Sequence, residues 1–320
     1  MKKFRSLAIA GLFAVTATSA SAVILTENFS ADPLQHGWKI FGDTNLFRWN
    51  ATNQNLEVTW NSTNQNSYFY RPLGTILARD DDFTLSFNLR LDDVAVFNYG
   101  QQVALGLLNF SEATNAAFSR PNADSPNLFE FDYFPDAGFG ASIDATLADM
   151  TVSAASSSGF YFIYDNLPIP PGVTCQITLA HAAGTTNLTG QVFTNGVLYT
   201  ALPQVYAGPI ADFRLDTLSV SSYADDGYGD DLFARGVVDN FTVTLPPPPV
   251  QNLAAALSGG VPQIQFTART NWLYTLQRTT DFQAWTNVSP ATSGVAGTLI
   301  LPDLDAPAGP AFYRVRADRP

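Results

Sequence analysis

The stretch Phe129-Glu130-Phe131-Asp132-Tyr133-Phe134-Pro135-Asp136 holds the densest chemistry of the chain. An extended strand sends successive side chains to opposite faces, so Phe129, Phe131 and Tyr133 share one face and Glu130 and Asp132 the other. The two acidic Cα atoms then lie roughly 6.6 to 6.8 Å apart, at two strand rises. The apolar set suits a core. The carboxylate pair suits a cation, a sugar hydroxyl or a proton in transfer, and its structural alternative is a solvated acidic pair on an outer strand face. Neighbouring like charges are unfavourable unless something compensates them, and no Lys stands nearby to do so.

Other candidates are spread along the chain. Asp225-Asp226-Gly227-Tyr228-Gly229-Asp230-Asp231 has the oxygen ligands and backbone freedom of a cation loop without EF-hand spacing, and a soluble loop is the simpler reading. Glu27, near the first strand, and Asp239, on the last, meet if the terminal strands pair. Trp38, Trp49, Trp60, Tyr68 and Tyr70 crowd the first third. Aromatic rings stack on pyranoses, which makes Trp49, Tyr68 and Tyr70 candidate ligand contacts, whereas Trp60 shares a face with Leu56 and Val58 and belongs to the core. His36 sits in a turn setting. His181 lacks a triad arrangement, and Cys175 reads as buried packing.

The elements that must carry these residues are strands. Period-two alternation recurs at Leu56–Trp60, Val173–Leu179 and most clearly Phe83–Leu91, where Thr84, Ser86, Asn88 and Arg90 fall on the wet face. Asn195-Gly196 between two extended runs signals a tight hairpin. A dozen or so such strands, separated by polar loops, predict two antiparallel sheets packed face to face. The last strand, Gly236–Leu245, runs into Pro246-Pro247-Pro248-Pro249, which cannot donate to a ladder and favours a stiff extended chain. Beyond it, strand candidates at Gln263–Phe266, Trp272–Leu276, Thr298–Leu301 and Phe312–Arg316 predict a small separate β unit.

The chain opens with Met1-Lys2-Lys3-Phe4-Arg5, an apolar stretch to Val15 and Ala20-Ser21-Ala22, the order of a secretory signal peptide over residues 1–22. No later segment reaches the roughly 18 apolar residues of a membrane helix, so a secreted, extracellular or periplasmic protein without a membrane span is expected. Removing the leader takes three of 16 Lys and Arg and none of 28 Asp and Glu, so net charge moves from −12 to −15. Only Lys39 remains among the lysines, and a nucleic-acid partner is excluded because phosphate binding needs clustered cations. Cys175 is the single Cys, so stability must come from a core rather than a disulfide.

Glu27–Trp38, the run around Glu130 and Gly236–Phe241 together resemble secreted bacterial proteins with a concanavalin A-like jelly roll, common in the Verrucomicrobia. Asn271–Arg278, Phe282–Trp285 and Ala311–Val315 resemble the small fibronectin III-like or immunoglobulin-like β-sandwich that ends many such proteins. The resemblance implies a jelly roll over 23–245, a Pro-rich linker over 246–250 and the small domain over 251–320. Modules of this kind, LamG-like domains included, often hold a structural calcium where Glu27 and Asp239 would meet. In legume-type lectins a strand Glu-x-Asp-x-aromatic-x-Asn holds two metals. Glu130 and Asp132 match it, Phe134 offers its carbonyl, Asp136 replaces the Asn, and Asp144 is the nearest further acid. The resemblance thus implies a calcium on Asp132, Asp136 and Asp144. In laminarinase-like hydrolases Glu-x-Asp-x-(x)-Glu supplies nucleophile and acid; Glu130 and Asp132 match, but the acid position falls on Phe134 or Pro135.

The expected function is therefore binding of an extracellular or cell-wall polysaccharide on an open sheet groove carrying Glu130, Asp132, Tyr68, Tyr70 and Trp49. A glycoside hydrolase or lyase using Glu130 and Asp132, and a structural or adhesive surface protein, are the alternatives.

Overall fold

The computed structural model describes residues 22–96, 103–116, 118, 127–134, 140–144, 169–185, 187–205, 213–224 and 232–320, with the side chains of some strand residues, Asp132 and Asp144 among them, outside the description. Asp136 and the acidic run 225–231 also lie outside the described residues. The chain divides into two compact units, 22–246 and 247–320. No helix among the described residues is long and apolar enough to cross a membrane.

The first unit contains β1 (Val23–Glu27), β2 (Lys39–Phe41), β3 (Phe47–Asn50), β4 (Asn55–Asn61), β5 (Ser67–Leu77), β6 (Phe83–Val96), β7 (Val103–Leu108), a one-turn helix α1 (Phe110–Ala113), β8 (Leu128–Phe134), β9 (Gly140–Asp144), β10 (Thr174–His181), β11 (Asn187–Thr194), β12 (Val197–Val205), β13 (Leu215–Ser222) and β14 (Leu232–Leu245). The back sheet runs β12-β11-β10-β6-β14-β4-β3, with β1 added on β14; the front sheet runs β2-β5-β13-β7-β8-β9. The pairings are antiparallel, giving the two-sheet sandwich that the alternation predicts and the jelly roll that the resemblance implies.

Alternation explains the core. Phe83, Leu85, Phe87, Leu89 and Leu91 of β6 are buried, as are Phe129, Phe131 and Tyr133 of β8. The sheets interlock edge to face: Phe83 on Phe129 with ring centroids 5.4 Å apart, Phe87 on Phe131 at 6.1 Å. Trp60 and Cys175 lie in the same core. The Asn195-Gly196 turn joins β11 to β12 with both residues at positive φ, the backbone that a tight hairpin requires.

The second unit pairs β15 (Val250–Ser258), β16 (Val261–Ala268) and β20 (Gly297–Pro302) in one sheet, and β17 (Leu273–Thr279), β18 (Thr286–Asn287), β19 (Thr292–Ser293) and β21 (Phe312–Asp318) in another. Phe266, Trp272, Tyr274, Leu276 and Leu301 form its core. The Tyr274 hydroxyl donates to the Pro249 carbonyl at 2.8 Å, which fixes the end of the proline run. β15 has no counterpart in the sequence reading, because an Ala-rich, largely exposed strand carries no alternation to detect.

Candidate functional site

Glu130 does point away from Phe129 and Phe131, onto the outer face of the front sheet, but it does not meet an open groove. It is fully buried. The middle strand β7 places Ala104 opposite Ser221 and Asp132, and Gly106 opposite Ser219 and Glu130, so two small residues leave a trough across the sheet. Polar groups fill that trough. The Tyr223 hydroxyl donates to Glu130 Oε1 at 2.7 Å, the Ser221 hydroxyl donates to the same oxygen at 3.3 Å, and Ser219 and Ser221 hydroxyls lie 3.0 Å apart. A Cβ on Gly106 would stand 2.5 Å from Glu130 Cα and 2.7 Å from its Cγ, so the carboxylate can occupy the trough only because this position is glycine. Tyr68, Phe118, Leu128, Ala113 and Tyr223 pack over it.

This arrangement corrects the expected ligand surface. Glu130 and Tyr68 are sealed from solvent, and the Tyr68 hydroxyl is committed to the Ala113 carbonyl at 2.8 Å. Trp49 is partly buried against the main core and donates its indole N–H to the Phe29 carbonyl at 2.9 Å. Tyr70 stacks on Phe110 with centroids 4.0 Å apart, beside the exposed Phe41. For Asp132 and Asp144 only the backbone register is described: Asp144 lies opposite Glu130, and Ser142 opposite Asp132. Among the described residues no group of three His, Cys, Asp or Glu is placed to hold a metal.

The terminal strands do pair, and the charge of Glu27 acts on Asp239. β1 lies antiparallel on β14 with Glu27 opposite Phe241, and β14 bulges between Asp239 and Thr242. Glu27 is 6% exposed and held by two donors: the Phe29 N–H on Oε1 at 2.8 Å, and the Trp38 indole N–H on Oε2 at 2.9 Å. Trp38 is itself stacked on Phe69 at 4.7 Å and packed against Phe241 at 5.6 Å, so the carboxylate stands on a rigid aromatic floor. The Arg71 guanidinium lies 3.9 Å from Glu27 Oε2. Asp239 accepts from the Asn240 backbone N–H at 2.7 Å. Burial raises the Asp239 pKa above the usual carboxylate range; the Asn240 N–H opposes the rise and the charge of Glu27 adds to it.

These residues border a cleft of about 570 Å³, lined by Glu27, Asn28, Ser30, His36, Arg71 and Asn240 among others. The lining combines a carboxylate, a guanidinium, two amides, a hydroxyl and an imidazole, all able to bond hydroxyl groups. Sequence reasoning singled out Glu27 and Asp239 and read His36 only as an exposed turn residue; Asn28, Arg71 and Asn240 were missed. The positive φ of Phe29 and Asn240 shapes both walls, and a bulky residue in that backbone region is a feature that only the structure reveals.

No family model matches the chain, and no curated protein matches it. Among solved structures it is similar to lectin II from Ulex europaeus (14% identity, 71% of this chain and 100% of that one, TM-score 0.47). It is also similar to peanut lectin (16%, 72% and 100%, 0.44) and to alginate lyase Aly36B (9%, 69% and 96%, 0.40). These likenesses carry no ligand or activity over to this chain.

Proposed function

We propose that the chain is an exported carbohydrate-binding protein that takes an extracellular or cell-wall polysaccharide in the Glu27–Arg71–Asn240 cleft. The observation that carries this reading is the fixed Glu27 carboxylate, bonded by Trp38 and Phe29 and ringed by planar polar side chains. A sugar offers pairs of adjacent hydroxyls, and planar groups held in advance bond such pairs without a large ordering penalty. The leader-like first 22 residues support export. Glu130 gives its Oε1 to Tyr223 and Ser221 in a sealed trough, an environment that suits support of the sheet face better than attack on a glycosidic bond.

Calcium belongs to the same proposal. Glu27 and Asp239 are the residues that would hold it, and the repulsion between them is what the ion would relieve. Arg71 is the competing counter-charge. Two measurements test the reading. A glycan array run with and without calcium should show retention of a polysaccharide that Arg71→Met or Asn240→Ala weakens at least tenfold; binding unchanged in both variants refutes the cleft. Chelation should lower the melting temperature, and an unchanged value assigns the counter-charge to Arg71 alone.

A further inference from the structure

We infer that the second unit carries its own binding site, on the outer face of β17 and β21, for a pyranose bearing a carboxylate. The inference concerns a different unit from the cleft and does not depend on it.

Three aromatic rings meet there, two exposed and one half-buried. Phe282 is 60% and Phe312 44% exposed, their centroids 4.1 Å apart, and Trp285 lies 6.4 Å from Phe282. Phe282 has φ +60°, a backbone region unfavourable for a bulky residue. The turn holds it there: Thr279 Oγ1 accepts the Phe282 N–H at 3.0 Å and donates to Asp281 Oδ1 at 3.0 Å, and Asp281 Oδ1 accepts the Gln283 N–H at 2.8 Å. A strained backbone that presents an aromatic ring to water helps neither packing nor solubility. It does present a flat apolar face to a sugar ring.

Arg314 supplies the polar half. Its guanidinium sits 4.2 Å over the Trp285 ring, and its Nε donates to Gln277 Oε1 at 2.7 Å. Gln277, 6% exposed, is fixed in turn by donating from Nε2 to Asn287 Oδ1 at 2.8 Å. The guanidinium is thus held by its flat face and its Nε edge, which leaves the two terminal nitrogens as a ready fork. Among the described residues Arg278 pairs with Asp303 and Arg316 with Asp318, but Arg314 has no carboxylate partner. A fork of this kind matches a carboxylate bidentately.

Charge selects the acidic ligand. Residues 247–320 hold five Arg and four Asp, a net +1, while residues 22–246 hold eight Lys and Arg against 24 Asp and Glu, a net −16. An anionic polymer disfavoured by the charge of the larger unit meets, on the smaller one, a fixed cation without a carboxylate partner beside stacking rings.

The test uses the full chain in affinity electrophoresis with polygalacturonate, a neutral glucan and polyglutamate. The expected result is retardation by polygalacturonate alone, weakened at least tenfold in Arg314→Met, which keeps an apolar stem over Trp285. Phe282→Gly should also lose at least fivefold while melting no lower than the parent, because Gly accepts φ +60°. Arg48→Met, which removes an exposed arginine of the larger unit outside both proposed sites, should bind polygalacturonate as the parent does. The inference is overturned if no retardation occurs, if polyglutamate retards equally, if the neutral glucan is retarded in an Arg314-dependent way, or if Arg71→Met rather than Arg314→Met abolishes binding. Failure of the cleft proposal reads out separately, on array glycans with Arg71→Met.

Discussion

Tyr223→Phe isolates one hydroxyl. The Tyr223 ring packs edge-on against Tyr68 and Phe118, at 5.8 and 5.9 Å, and Phe keeps both contacts. What the change removes is the 2.7 Å bond to Glu130 Oε1, a buried acceptor that the Ser221 hydroxyl reaches at the longer 3.3 Å. Removing one partner of a buried polar group costs about 1–3 kcal/mol. Since a unit of this size shifts by roughly 2–4 °C per kcal/mol, a loss near the middle of that range lowers its melting temperature by about 4–8 °C. Calorimetry on the full chain follows the larger unit's transition, and Glu130→Gln with the double variant completes a cycle. A coupling energy of about 1 kcal/mol or more is expected for groups in direct contact. A shift in Tyr223→Phe below about 1 °C, or additivity within about 0.3 kcal/mol, would refute the claim that this pair stabilises the front sheet.

Three further outcomes follow from the same structure. Gly106→Ala forces a Cβ into the Glu130 stem and the Phe129 carbonyl, so it should destabilise by about 1–3 kcal/mol in a urea titration despite the entropic benefit of losing a glycine. His181 is buried against Phe83 and Phe213, and burial holds its pKa below 6.5, opposed by its bond to the Asp81 carbonyl. The unfolded chain then binds the proton first, so stability should fall as pH drops from about 6.5 through the lowered folded value; a flat melting temperature across pH 7 to 5 in the parent, relative to His181→Phe, contradicts this. Asp239 has the opposite sense: its raised pKa means that the folded state binds the proton more tightly, so stability declines as pH rises from the unfolded value through the raised folded one. Asp239→Asn should remove that decline and raise the neutral-pH melting temperature, and a lower value would show that the charge is needed.

Alternation at Phe83–Leu91 and Phe129–Tyr133 revealed which face of each strand enters the core, because that pattern is local. It could not reveal depth. The cover over Glu130 comes from Tyr223, 93 residues away, and from α1, so an outward-pointing acid could be wet or sealed with the same local sequence. The one available hint was the small pair Ala104 and Gly106 in an otherwise apolar run, since a trough needs such residues. Glu27 and Asp239 were legible as a pair because terminal strands of a sandwich commonly close on each other, whereas Arg71 enters the cleft from a strand of the other sheet. In the second unit, Trp285 and Arg314 are far apart in sequence, and the β17–β21 register sets Arg314 opposite Gln277, which holds its Nε.

The seating of β1 on β14 has a consequence for how the molecule is made. The opening strand must wait for a partner more than 200 residues downstream, so during vectorial synthesis or passage through a translocation pore the back sheet stays unlatched until Phe241–Leu245 have emerged. Glu27 is then the last wall to be assembled around its cleft, and a fragment ending before Asp239 would keep most strands yet be blind to any occupant there.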